Sequence, residues 1–361
     1  MKIQNSTKTR NKNILNFLIA FTLAAGMFRA EAQGASVTSV PVGMITYPLA
    51  QGTTTYLSLP LTNIETYTGS VSSLAPTSIT VGDSPSPFTT NLGTSSAPHF
   101  LKFLSGNQKG RVVMITANTT STLTIDTTDH STGAPVYLNM PGFSVQPGDT
   151  FEVFAGDTLA SVFGAGTTQS PLLLTGGTSV TASDTVSLFT EVNAPAVTYY
   201  FNTSARMWEQ SGQTSNANST IIYPYSAFAI TRQSANPSTA LVVAGRVSSV
   251  GAEIKVVSNG TVFSSTRSAT DVTLSQLQFG TNWVMGSSIA TADTLSVWNS
   301  TEGHFDTYFQ KPDTTWRKFP DDVTDQSNFA ITAGNVTTIA KRNVVTGAAT
   351  FLQSPLPYSL D

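Results

Sequence analysis

Histidine is the commonest general base, and this chain of 361 residues has three: His99, His130 and His304. A Ser-His-Asp triad needs an imidazole oriented by a carboxylate beside an activated serine. His130 follows Asp129, but neighbours on a strand point to opposite faces, and no Gly-x-Ser-x-Gly elbow occurs. Zinc has no better support: there is no cysteine, and no two histidines stand at helical or loop spacing. Glycoside hydrolysis needs two acids at a set separation, for which Asp149, Glu152, Asp157 and Glu191 are the candidates. Asp149 and Asp157 each follow a glycine at the entry to a strand or turn, where Asp bonds its own backbone, so these acids read as structural. Two acidic loops, Asp126-Thr127-Thr128-Asp129 and Asp321-Asp322-Val323-Thr324-Asp325, gather oxygen ligands as calcium sites do, yet neither has the twelve-residue helix-loop-helix pattern. No catalytic residue emerges, no cofactor is implied, and the chain reads as a non-enzyme.

Aromatic residues offer the more interesting chemistry. Tyr199, Tyr200, Phe201 and Trp208, with Tyr308, Phe309 and Trp316, fall in two similar runs. Exposed, they would form two equivalent platforms for flat apolar ligands, and duplicated sites add avidity. Buried, they would fill the two cores. The ligand-binding candidates are Tyr199, Tyr200, Trp208, Tyr308 and Trp316.

The elements that must hold these residues are strands. Met44 to Tyr47 and Thr55 to Leu59 flank the turn-like Gln51-Gly52. Arg111 to Thr116 and Thr122 to Ile125 flank Asn118 to Ser121. Ile254 to Ser258 and Thr261 to Phe263 flank Asn259-Gly260, the favoured pair for a two-residue type I′ hairpin turn. Residues 83–98, with three prolines, read as a long loop. Leu159 to Phe163 and Leu274 to Phe279 allow one helical turn each; no longer 3.6-residue period occurs.

The aromatic runs belong to an internal similarity. Asp184-Thr185-Val186-Ser187-Leu188-Phe189 recurs as Asp293-Thr294-Leu295-Ser296-Val297-Trp298, and Thr198-Tyr199-Tyr200 as Thr307-Tyr308-Phe309. Trp208 recurs as Trp316, and Arg232-Gln233 as Arg342-Asn343. The spacing predicts two copies of one β unit.

The N-terminus carries an address. Lys2, Lys8, Arg10 and Lys12 precede an apolar run from Ile14 to Met27, and Ala30-Glu31-Ala32 fits cleavage before Gln33. Removing five basic and one acidic residue from totals of 18 and 21 leaves 13 and 20, a net charge of −7. A nucleic-acid binder shows a basic patch, and the densest basic cluster is Arg317-Lys318. Charged residues are 11% of the chain, against about 25% in a typical globular protein. With no cysteine, disulfides cannot supply stability.

The segments Pro41-Val42-Gly43-Met44-Ile45-Thr46 and Tyr56-Leu57-Ser58-Leu59-Pro60-Leu61, the paired aromatic and Trp hairpins, and Pro355-Leu356-Pro357-Tyr358 together resemble an uncharacterised family of exported, β-rich bacterial proteins of verrucomicrobial type. The resemblance spans most of the chain after residue 32. It implies secretion and supplies no catalytic residue.

The expected fold is all-β: a signal peptide (1–32), a small N-terminal β-barrel-like module (33–156), and two related β-sandwich-like units (157–250 and 251–361). The expected function is a non-catalytic structural or adhesive role in the cell envelope or outside the cell. The expected partners are the chain itself or other envelope components, with no nucleic acid and no membrane span after cleavage. The alternative is a polysaccharide-binding module using the aromatic hairpins; an extracellular hydrolase is the third reading.

Overall fold

Thr, Val and aromatic side chains fit a pleated, half-buried surface, and the chain is built almost wholly from antiparallel strands. The computed structural model describes residues 41–83, 87–89, 92–94, 96–127, 138–140, 143–189, 196–257, 261–342 and 349–358. The expected signal peptide and its cleavage site, Asp129, His130, Glu191 and Asn259-Gly260 lie outside these residues. No helix among the described residues is long and apolar enough to cross a membrane.

Seven strands pair in the order Glu65–Ser70, Thr150–Ala155, His99–Phe103, Val112–Asn118, Thr122–Ile125, Ser78–Thr80 and Ser73–Ala75. Only Val71 and Ser72 separate the first from the last in sequence. The Val71 N–H donates to the Asp149 carbonyl (2.9 Å), and the Ser72 N–H donates to the Thr80 carbonyl (2.8 Å). One continuous segment thus bonds both ends of the sheet, which rolls into a small barrel. Leu101, Phe103, Ile115, Leu123, Phe151 and Val153 fill its interior, each contributing about 1.5–3 kcal/mol by burial.

Two five-stranded sheets share one strand order. The first runs Met207–Gln210, Val197–Asn202, Thr185–Leu188, Ala227–Thr231, Thr54–Ser58; the second runs Trp316–Lys318, His304–Gln310, Thr294–Asn299, Val336–Ala340, Thr261–Ser265. Each packs against a two-stranded ribbon, Val42–Leu49 with Thr239–Arg246 in the first case and Ala252–Val257 with Ala349–Ser354 in the second. Leu49 and Leu241 of the first ribbon meet Val186, Trp208 and Phe228. Ile254, Val256 and Leu352 of the second meet Leu295, Tyr308 and Trp316. Both units are therefore two-layered and sandwich-like. Each also has a short turn of helix, Leu159–Phe163 or the 3-10 turn Leu274–Gln276, opened by a reciprocal Thr158/Ser161 or Thr273/Gln276 capping box.

These pairings correct the expected boundaries. Thr54–Ser58 bonds Ala227–Thr231, and Val42–Leu49 bonds Thr239–Arg246. The first unit is thus discontinuous, drawing its outer strand and half its ribbon from residues before the barrel. The barrel interrupts it. The Asn259-Gly260 hairpin is also corrected: Ala252–Val257 pairs with Ala349–Ser354, while Thr261–Ser265 pairs with Val336–Ala340. Five- and six-residue ladders that bury Ile254 and Val256 outweigh a local turn preference.

The units meet reciprocally. Ser58 Oγ donates to the Gly334 carbonyl (3.2 Å), and Ser265 Oγ donates to the Tyr225 carbonyl (3.4 Å). Both carbonyl residues are left-handed, with φ of 72° and 64°. A Cβ on Gly334 would strike the Tyr47 hydroxyl, so that position demands glycine. Tyr225 tolerates the same backbone with its ring held beneath Arg267 (5.4 Å) and Lys102 (5.7 Å). Lys102, fully buried on the barrel's outer face, also donates to Ser248 Oγ, and Arg246 joins Glu152 and Glu65.

Candidate functional site

Strand alternation sends Tyr199, Phe201 and Trp208 into the first unit's core and Tyr308 and Trp316 into the second's. Both Trp side chains are 0% exposed, and Tyr199 and Tyr200 are 8%. The expected exposed platforms are thereby corrected: these five residues are packing residues. Tyr200, on the opposite face, is still covered, because its hydroxyl donates to the buried Glu209 carboxylate (2.9 Å). Burial first, and then that carboxylate, push the Tyr200 hydroxyl above its ordinary value.

The internal equivalence is set by side-chain bonds as well as by strand order. Ser187 Oγ meets Thr198 Oγ1, and Ser296 Oγ meets Thr307 Oγ1, both at 2.9 Å. Asp184 is buried against Arg232 (2.8 Å), and Asp293 against Lys341. The carboxylates also accept backbone N–H groups from Thr175 and Gln233, and from Val284 and Arg342. Arg232 thus corresponds to Lys341, one residue before the Arg342 that sequence spacing suggested.

Around the two Trp residues the units diverge. Phe201 pairs directly with Trp208, and the equivalent partner of Trp316 is Gln310. From Leu159 to Asp184 the chain advances 25 residues; from Leu274 to Asp293 it advances 19. In the first unit the extra chain lies over the indole, and Trp208 Nε1 donates to the Gly164 carbonyl (2.8 Å). The Phe201 ring fills the space a Cβ on Gly166 would take. In the second unit the same region is an open cavity of about 420 Å³, lined by Phe279, Trp283 and Met285 and by Ser275, Gln278, Gln310, Thr314, Thr315 and Ser327. Phe279 and Trp283 lie 4.6 Å apart, and Trp283 packs at a tilt against Trp316 at 5.7 Å. The indole N–H groups of Trp283 and Trp316 and the Tyr308 hydroxyl have no hydrogen-bond partner among the described residues. Each unmade bond on a buried donor costs about 1–3 kcal/mol.

The remaining candidates are engaged in structure. Asp149 Oδ2 accepts the Gln146 N–H (2.8 Å), Glu152 holds Arg246, and Asp157 accepts from Asn63 (3.3 Å). His99 Nδ1 sits against the Leu92 and Ala97 carbonyls. Asp321 and Asp325 accept N–H groups two or three residues ahead, and the Thr324 and Ser327 hydroxyls first, then these N–H groups, hold the two carboxyls below their ordinary value. Their oxygens thus close local turns.

Glu302, His304 and Asp306 offer ligand atoms within 4.8 Å of one another. Lys318 Nζ already lies 2.9 Å from Asp306 Oδ1, the oxygen that also meets His304 Nε2. An ammonium in that place disfavours a second cation. Burial alone would raise the Asp306 carboxyl, but hydrogen bonds from Lys318, Asn299 and His304 bring it below its ordinary value.

Sequence reasoning missed two features. One is the cavity, whose signal is the exchange of Phe201 for Gln310. The other is a half-buried aromatic cluster where the units meet: Tyr56 and Phe189 against Phe263, Trp298 and Phe305. Its closest ring pairs are Phe189–Phe263 at 4.2 Å and Tyr56–Trp298 at 4.3 Å. Phe189 and Trp298 end the two matching motifs, so their recurrence was visible and their convergence was not. Comparison with protein-family models, with curated proteins and with solved structures finds no match for this chain.

Proposed function

We propose that the protein is a non-catalytic structural or adhesive component of the cell envelope or extracellular space, released by cleavage near Ala32-Gln33 and built by duplication of one β unit. The ribbon of Val42–Leu49 and Thr239–Arg246 carries this reading. Its outward face presents Val42, Met44, Thr46 and Pro48 beside Val242 and Ala244, with Met44 71% and Val42 65% exposed. Val42–Leu49 contains no charged residue and, among the described residues, has a hydrogen-bonded strand on one side only. An apolar edge without a charged guard, broken only by Pro48, can pair with another chain, which is why many proteins guard such edges with lysine.

The test is sedimentation of the mature protein, with fractionation of native cells and N-terminal sequencing of the recovered chain. Assemblies or envelope retention are expected, with Gln33 as the first residue and the mass lowered by Met44→Lys. A freely diffusing monomer at every concentration overturns the reading.

A further inference from the structure

The second unit's cavity differs in kind from the ribbon, and it is built. Its aromatic wall, Phe279 and Trp283, is 4% and 6% exposed and is held rigidly by Trp316 behind it. Facing that wall are amides and hydroxyls, among them Gln278, Gln310 and Thr315, and none of the described lining residues is ionisable. Inside the aromatic layer two buried indole donors stand without partners among the described residues. In the first unit the corresponding indole is satisfied by Gly164 and the space is filled by Phe201. The same scaffold therefore has a closed form and an open form, and the open form lacks the acceptor that the closed form supplies from its own chain.

We propose that this cavity is a binding site for one neutral, hydroxyl-rich ring, a pyranose unit of a glycan. The volume lies within the range of small-molecule pockets, about 300–1,000 Å³. A pyranose has an apolar C–H face for the negative face of an aromatic ring, and its hydroxyls both donate and accept. That matches the amide and hydroxyl walls. The absence of charge in the lining selects against uronic acids and amino sugars carrying a free ammonium. One site per chain follows, because the first unit is occluded.

The test titrates the mature protein with neutral methyl pyranosides of the gluco, galacto and manno series and with their linear trimers, reading Trp fluorescence and the indole ¹H–¹⁵N resonances. Saturable binding of one ring per chain is expected. The Trp283 resonance should move while that of Trp208, already bonded to Gly164, stays. Gln310→Phe rebuilds the first unit's plug and should weaken binding at least about tenfold. Gln278→Leu, an exposed change that spares the core, should weaken it in the same direction without changing the melting temperature. No saturation by any of these probes up to roughly 10 mM overturns the proposal. So does binding that both variants leave intact, or a uronate bound as tightly as its neutral parent.

Discussion

The two β units place one aromatic scaffold under two different lids. Strand order, the Ser–Thr pair between adjacent strands, the buried Asp and the central Trp are held in common. What differs is one position opposite the Trp, Phe201 or Gln310, and six residues of connecting chain. The first unit converts that difference into a satisfied core. The second converts it into a cavity with unmatched donors. Residues that define the fold can thus be kept while the space beside them changes its chemistry.

The largest effects should fall on what the units share. Asp184→Ala strands Arg232 and Asp293→Ala strands Lys341, and leaving a buried charge unpaired costs about 3–5 kcal/mol. Asp184 also accepts from Asn236 Nδ2 (2.8 Å), so its loss should be the greater in urea unfolding. Equal and negligible effects would show that these pairs do not hold the units together.

The next test separates the units. Trp208→Phe removes a bonded indole N–H and orphans the Gly164 carbonyl, whereas Trp316→Phe removes a donor with no partner among the described residues. The first should therefore cost about 1 kcal/mol more than the second, measured in the same denaturant series. A larger loss at Trp316 would break the contrast.

The smallest effect concerns pH. Val197 in the first unit holds the position that Asp306 holds in the second, since Val197 pairs with Leu188 as Asp306 pairs with Val297. The folded carboxyl of Asp306 lies below its unfolded value. Its contribution is therefore present above the unfolded value, near about 3.9, and is lost as pH falls through the folded one. Lys318 is partly exposed, so screening limits the contribution to about 0.2–1 kcal/mol. Asp306→Val should flatten the acid limb of the stability profile by that amount and leave the neutral plateau lower.

The all-β class was legible because alternation and turn residues recur along the whole chain, and the absence of cysteine was read directly. The Asp184/Asp293 and Trp208/Trp316 motifs were legible because their offsets, 109 and 108 residues, differ by a single turn residue. Thr54–Ser58 was not assigned to the first unit because Thr54 lies 177 positions from its partner Thr231, a gap that holds the whole barrel, and only register relates it to Thr261–Ser265. The burial of Tyr199, Tyr200, Trp208, Tyr308 and Trp316 was undetermined because aromatics serve cores and platforms alike. The cavity was invisible because it is made by what Gln310 fails to fill.

The interruption of the first unit also sets a timetable. Thr54 and Thr231 are 177 positions apart, yet their hydroxyls meet at 2.9 Å in adjacent strands. At synthesis rates of about 5–20 residues per second, the earlier strand waits roughly ten to thirty seconds for the later one. The barrel's strands, Glu65–Ser70 through Thr150–Ala155, are all complete within that interval. Thr54–Ser58 and Val42–Leu49 are therefore the last of the early strands to find partners, and the chain must keep the uncharged strand Val42–Leu49 unpaired while the inserted module folds beside it.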